Sequence, residues 1–401
     1  MLQLLLQIFM ILTALVFLLI LSVLVLIHEA GHYFVAKKFN IKVEEFGFGL
    51  PPRIWGWKKG ETIYSLNWLP IGGFVKLFGE DEAGGGKIQL KVKSEKSKVD
   101  EHRAFYSRSI GQRAAVVVAG VVMNALLAIV IYYVFMFIGG FKTDLPLLGK
   151  YEFFLVNQTV KTDIIVSQIA KGSPAEKAGL TPFSHVLSIN SKKITSVTEF
   201  SKIIKDNKGK EILLEWQDAK TQKVARAVVT PRINPPKDQG ALGVSFFPME
   251  TVTLSYDTPE QKILSGFVHP ANLVAYNFKI LGTLIGVSVK EKTVEPLSQG
   301  VSGPVGIFSL VGTIVDIPNA KERTLQLLNL AGLLSVSLAF FNVLPIPGLD
   351  GGRLFFILIE AVTRKKVNPK IEGYAHAVGM VLLIGLIILV TFKDIGQFLI
   401  K

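Results

Sequence analysis

The chain has 401 residues, half of them hydrophobic and only 19% charged; ordinary soluble domains carry roughly 25% charged residues, so much of this chain is expected in lipid. It has no cysteine, which excludes disulfide staples and thiolate metal sites and leaves His, Asp and Glu to hold any transition metal. The net charge of +13 comes with no recognisable nucleic-acid module, and on a membrane chain it reads as basic loops held against anionic lipid.

Four stretches are long and apolar enough to cross a bilayer as helices, about 5–36, 114–138, 326–347 and 374–392, where a crossing needs roughly 20 residues. No Lys or Arg precedes the first, and its apolar run is longer than a signal-peptide core, so a span is favoured over a signal. The stretch from Lys37 to Arg113 and the link carrying Arg364, Lys365, Lys366 and Lys370 are rich in basic residues. Both are expected on the cytoplasmic side. Four crossings then put both termini outside, together with residues 140–325.

Within the first span, residues 25–32 read VLIHEAGH, an HExxH motif. On a helix, His28 and His32 project from one face one turn apart, so two imidazoles can hold one metal. Glu29 is near enough to act as general base towards water at that metal. Ionisable groups at membrane depth are costly and are functional candidates by default; the competing explanation is a pair of histidines snorkelling at a helix end. A catalytic zinc site usually needs a third protein ligand. Asp350 is the outstanding carboxylate of the other spans, in FNVLPIPGLDGG from Phe341 to Gly352. Pro345 and Pro347 break a helix and Gly351 and Gly352 permit tight turns, so this looks like an irregular, protein-lined end of the third span. Alternatively Asp350 is simply the N-cap of a helix over 353–362.

Between these motifs, residues 53–78 read as apolar strands broken by Lys59-Gly60 and Gly72-Gly73, a hairpin following the HExxH helix. An edge strand there could offer backbone partners to an unwound substrate; a hairpin lying on the membrane surface explains the same pattern. In the outer region, Gly172 and Gly179 bracket a short helix opened by Ser173 and Pro174, and Val186 to Asn190 reads as a strand. Residues 260–289 are apolar but interrupted by His269-Pro270 and Lys279, which predicts helices along the outer interface rather than a fifth crossing.

These segments together resemble the site-2 protease family, and in particular its bacterial RseP-like branch, over almost the whole chain. The motif at His28 to His32 is similar to the family's zinc-binding helix, and Asn342 to Gly351 to its NxxPxPxLDG motif. Arg103 to Phe105, Gln112 to Ala114 and Ala119 to Asn124 resemble the family's second span, with Val121 where a proline is usual, and Gly72 to Glu80 a cytoplasmic-side segment. The resemblance implies that Asp350 is the third zinc ligand, that Asn342 faces the substrate and that the hairpin is membrane-re-entrant. It also implies a PDZ domain at 158–232, one copy where relatives often carry two. Implied substrates are single-span membrane proteins trimmed on the outer side, such as anti-sigma factors, and remnant signal peptides.

The expected fold is therefore a polytopic α-helical membrane protein of about four transmembrane helices, with a cytoplasmic-side β-hairpin and an inserted extracytoplasmic PDZ-like α/β domain. Its parts are 1–139 (two spans), 140–157 (linker), 158–232 (PDZ-like), 233–325 (interfacial helices and connector) and 326–401 (two spans). The expected activity is zinc-dependent intramembrane endopeptidase action in the bacterial cytoplasmic membrane, with His28, His32 and Asp350 on zinc, Glu29 as base and Asn342 on substrate. A PDZ-bearing scaffold with a non-catalytic metal site remains an alternative, as does a zinc transporter, although no repeat of spans is visible.

Overall fold

The computed structural model describes residues 2–80, 101–218, 223–295, 298 and 300–399. Residues 81–100, part of the basic stretch expected on the cytoplasmic side, lie outside the described residues. The chain divides into two units, one of Met1–Gly139 with Leu264–Lys401 and the other of Gly140–Ile263.

The first unit is helical. α1 (Leu2–Lys38) is almost wholly apolar until its last turn, which ends in Lys37 and Lys38. α2 (Ile110–Ile138) opens on a capping box, in which Ser109 Oγ accepts the Gln112 N–H and the Gln112 side chain accepts the Ser109 N–H, each at 3.3 Å. α1 and α2 touch through small residues: a β-carbon on Gly31 would lie 2.8 Å from Met123 Cγ and closer still to the Ala119 carbonyl. Such glycines allow the close backbone approach that packs helices in lipid, where no hydrophobic driving force separates protein from solvent.

Between α1 and α2 stands the hairpin, β1 (Val43–Lys59) and β2 (Thr62–Leu77), turned at Gly60 with φ +65°. It folds back on itself. Glu45 to Phe48 are flanked on one side by Ile63 to Leu66 and on the other by Gly73 to Lys76, while Trp55 to Lys59 pair with Thr62 to Leu66. The segment 73–77 is thus left at one edge. A cluster at the turn fixes the hairpin to its surroundings. Glu61 accepts Lys37 Nζ at 2.6 Å and both guanidinium nitrogens of Arg103 at 2.7 and 2.8 Å. The Arg103 and Lys37 hydrogen bonds hold the Glu61 carboxyl down to about 2.

Beyond the second unit run α5 (Pro259–Glu291), α6 (Pro304–Val315), α7 (Ala320–Val343), α8 (Asp350–Thr363) and α9 (Pro369–Leu399). Where the sequence predicts interrupted interfacial pieces at 260–289, α5 is one continuous helix through Pro270. Packing overrides the break. A β-carbon on Gly266 would lie 2.8 Å from the Ile129 carbonyl, and the His269 ring sits edge-on to Tyr132 at 5.1 Å and stacked on Phe135 at 5.9 Å. Among the described residues five helices, rather than the four anticipated, are long and apolar enough to cross a membrane: Gln7–Lys38, Ile110–Ile138, Pro259–Glu291, Ala320–Val343 and Pro369–Gly396. This is the architecture of a multi-pass membrane protein.

The second unit is a seven-stranded sheet in the order β3-β9-β4-β5-β7-β8, with β6 beside β5. Its strands are β3 (Lys142–Leu147), β4 (Asn157–Ile169), β5 (His185–Ile189), β6 (Lys192–Lys193), β7 (Ile212–Gln217), β8 (Val224–Val229) and β9 (Val244–Ser255). Two helices join them, α3 (Pro174–Lys177), capped by Ser173 Oγ on the Glu176 N–H, and α4 (Val197–Asp206). Ile164, Val166, Leu214, Trp216 and Leu242 are buried among the strands, with Phe200 and Ile204 of α4 closing one side. The sheet is wider than 158–232. β3 falls in the stretch expected as linker, and β9 in that expected to hold interfacial helices, because Pro248 within β9 masks the strand pattern. Pro248 is tolerated where β9 lies beyond the reach of β3, whose pairing stops at Glu250.

Candidate metal centre

The HExxH motif sits on an uninterrupted stretch of α1, which keeps His28 and His32 on one face and turns both rings towards α2. That side of α2 presents Val116, Gly120 and Asn124, spaced four residues apart. His32 donates through Nδ1 to the Val116 carbonyl at 2.8 Å. This leaves the Nε2 lone pair for a metal. His28 Nδ1 faces the Asn124 side-chain amide at 3.3 Å, and Asn124 Oδ1 is buried without a partner. A half-turn of that amide brings its oxygen to the Nδ1–H of His28, again leaving Nε2 free. Gly120 is the floor beneath both rings. A β-carbon there would lie 2.7 Å from His28 Cε1 and closer still to His32 Nε2.

Asp350 reaches this face from the far end of the chain. α7 stops at Val343, and residues 344–349 turn back tightly before α8 begins at Asp350 itself. Asp350 is therefore the first helical residue rather than the N-cap, a position Leu349 takes. A β-carbon on Gly352 would lie 2.9 Å from Pro347 Cα. The turn closes only because Gly351 and Gly352 have no side chain. Asp350 Oδ2 lies 3.0 Å from His28 Nε2 and 3.2 Å from His32 Nε2, and the two Nε2 atoms are 3.2 Å apart.

These separations test whether the residues fit zinc. Ligand atoms held at the usual roughly 2.0–2.2 Å around a tetrahedral ion are about 3.3 Å from one another. The three donors match that spacing, their set of two imidazoles and a carboxylate is one zinc takes, and the hydrogen bonding behind both imidazoles suits ligand tautomers.

Two cavities meet at the centre. One of about 560 Å³ is lined by Glu29, His32 and Asp350 together with Phe74 and Val75 of the hairpin edge and His376 of α9. The other, about 230 Å³, is lined by His28, Glu29, Asn124, Asn342 and Asp350. All five residues singled out in the sequence thus border one connected site. Glu29 also packs at the hairpin, where a β-carbon on Gly73 would lie 3.3 Å from its Cγ. Behind Asp350, Arg353 pairs with Glu80, and Arg113 pairs with Glu360 at 2.7 Å. The sequence reading assigned no role to Val116, Gly120, Asn124, Arg353 or His376. For the first three a signal existed, their four-residue spacing on one helix face; for the others only the folded chain reveals the contact.

Comparison with known proteins bears on the chemistry. The profile of peptidase family M50 matches residues 16–386. A protein of Clostridium perfringens named as a zinc metalloprotease is 34% identical over 377 residues, covering 93% of this chain and 96% of the relative. One of Clostridium acetobutylicum with the same description is 30% identical, covering 93% and 94%. The regulator of sigma-W protease RasP of Bacillus subtilis is 28% identical over 452 residues, covering 96% and 98%. The scaffold and transporter readings fall away, and the chain belongs to peptidase family M50, the site-2 protease family of zinc metalloendopeptidases.

Proposed function

We propose that this peptidase cuts other membrane proteins within or beside their transmembrane segments, with zinc held by His28 Nε2, His32 Nε2 and Asp350 Oδ2. The observation that carries the proposal is the convergence of those three atoms between α1 and α2, two apolar helices long enough to cross a membrane, where a soluble substrate would not reach. Zinc, when bound, polarises the scissile carbonyl and acidifies water. Glu29 takes the proton from the attacking water and delivers it to the leaving amine. Asn342, in the smaller cavity, directs its amide towards the unwound substrate backbone or the developing oxyanion. A substrate helix must give up its own hydrogen bonds to be cut, and the strand segment 73–77, which borders Glu29 at the rim of the hairpin, offers backbone groups to replace them.

In this reading the enzyme lies in the bacterial cytoplasmic membrane, with both termini and residues 140–263 on the outer side. On the same reading α1, α2, α7 and α9 cross, and α5, the least apolar of the five, buries Ser265, His269 and Asn272 against protein and packs Phe278 on Phe340 of α7 at 4.7 Å. Residues 158–232 form a PDZ-like domain. In its support, the 244–249 part of β9 extends past β3 and packs beside α4, with Phe246 4.4 Å from Phe200, a place for an added peptide strand. Its role is to admit single-span substrates already trimmed on the outer side, such as anti-sigma factors or remnant signal peptides. Purified protein and a model membrane substrate test the chemistry. Glu29→Gln should keep stoichiometric zinc while cleavage falls by at least about 10²-fold; loss of the metal, or undiminished cleavage, would overturn the assignment of the base.

A further inference from the structure

We infer that His376 is a positioning residue for the metal centre: through its hydrogen bond to Gly348 it fixes the turn that presents Asp350. The inference rests on Asp350 being a zinc ligand, as proposed above.

The turn is shaped from within by backbone bonds, Ile346 N to the Leu344 carbonyl at 2.6 Å and Leu349 N to the Ile346 carbonyl at 3.2 Å. Those bonds set its curvature. They do not fix where it stands relative to α1. α8 docks on α2 through Glu360 and Arg113, and one turn of α9 holds the turn itself from outside. Gly348, with φ +98°, donates its N–H to His376 Nδ1 at 2.9 Å. A β-carbon on Gly348 would lie 3.1 Å from Met380 N, and one on Gly379 would collide with the Pro347 carbonyl. α9 from 376 to 380 is therefore moulded to residues 347 and 348, two positions ahead of Asp350. Elsewhere α9 buries little: among its described side chains only Gly379 and Asp394 are fully buried.

The choice of histidine supports a role beyond filling space. Accepting at Nδ1 puts the proton of the neutral ring on Nε2, and Nε2 is shut off from solvent with no hydrogen-bond partner among the described residues. A buried polar atom left unmatched costs stability. An apolar ring would fill the same volume beside Phe356, whose centroid is 5.7 Å away, without that cost. What it would lack is the acceptor for Gly348.

The test uses full-length protein purified in detergent and titrated with a competing zinc chelator of known affinity. His376→Phe keeps a ring and removes the acceptor, whereas His376→Asn places an oxygen where Nδ1 stood. His376→Phe should weaken zinc binding about tenfold, the lower end of the effect of losing a group behind a metal ligand. His376→Asn should restore binding to near the wild-type value, and thermal unfolding of the zinc-free proteins should not differ. Wild-type zinc affinity in His376→Phe, no recovery in His376→Asn, or a parallel drop in zinc-free stability would each overturn the positioning role. Asp350→Ala separates the two layers. If it retains zinc, the ligand assignment falls and the role of His376 with it; if it loses zinc while His376→Phe binds normally, only the role of His376 falls.

Discussion

Two sets of glycines, one in each unit, serve different ends. In the Gly140–Ile263 unit, Gly172, Gly179 and Gly209 all have positive φ, and a β-carbon on Gly172 or Gly179 would meet nothing within 4 Å. They are there for backbone conformation. In the membrane unit, Gly31, Gly120, Gly351 and Gly352 have ordinary φ, and each lies where a β-carbon would strike backbone or an imidazole. They are there for closeness. The contrast follows from the solvent. A sheet domain in water is held by burying apolar side chains, and its glycines serve the turns; helices in lipid gain nothing from that burial, so their approach and their site depend on missing side chains.

Removing a ligand has the largest expected effect. His28→Ala, His32→Ala or Asp350→Ala should each abolish both zinc content and turnover, and stoichiometric zinc in purified Asp350→Ala by elemental analysis would break the assignment. The glycine contrast comes next. Gly120→Ala should lower zinc content and activity at least about tenfold, since the displaced imidazoles lose the support that orients metal ligands. Gly179→Ala, at φ +81° with open space around it, should cost the sheet unit about 1–2 kcal/mol and leave hydrolysis of a short peptide unchanged. Equal effects of the two on zinc content would show that the distinction drawn from their surroundings is false.

How legible each unit was follows the same line. In the first, HExxH and the FNVLPIPGLDGG segment disclosed the chemistry because polar groups and helix breakers are conspicuous against an apolar background. Gly120 and Asn124 were visible as part of a resemblance and, with Val116, as a four-residue spacing, but nothing in a sequence says which imidazole a glycine lies beneath. In α5 the local rule failed outright. Pro270 argues for a break, yet contacts with Ile129, Tyr132, Tyr133 and Phe135 carry the helix through it. In the sheet unit the turns and the α3 cap were readable. The width of its sheet was not, because β3 and β9 pair across more than 100 residues of intervening chain and Pro248 hides the alternation.

Topology sharpens the comparison without changing the chemistry. The native chain has no cysteine, so single cysteines report cleanly on an impermeant thiol reagent in intact cells. A cysteine at Lys192, in the sheet unit, should be labelled, and one at Lys366, in the basic link, should be protected. The reverse pattern would invert the proposed orientation. Selection is a smaller matter of ratio. Replacing the whole sheet, residues 142–255, whose ends pair with each other, with a short Gly/Ser linker should leave cleavage of a trimmed substrate nearly unchanged and raise cleavage of its full-length parent. If the parent is still rejected, the filter lies elsewhere, with α5 the next candidate.

The smallest effect concerns Glu61, the join between the hairpin and the end of α1. Its carboxylate is gripped by Arg103 at both oxygens and by Lys37, yet its side chain is 29% exposed, so solvent screens the attraction. Glu61→Gln should therefore cost no more than about 1 kcal/mol, the upper end for a surface pair. The pH dependence carries the diagnosis. The folded carboxyl is depressed from about 4.5 to about 2, so the stabilisation is complete above the unfolded value and is lost as pH falls towards the folded one. Thermal unfolding of the two proteins in detergent should differ by a constant amount from pH 7 to about 5, and the difference should shrink as pH drops through 4 and 3. High salt should shrink it too. A gap that persists undiminished at pH 3 would mean that Glu61 contributes shape and neutral hydrogen bonding rather than charge, and the hairpin would then be held at this join in the manner of the sheet unit's turns.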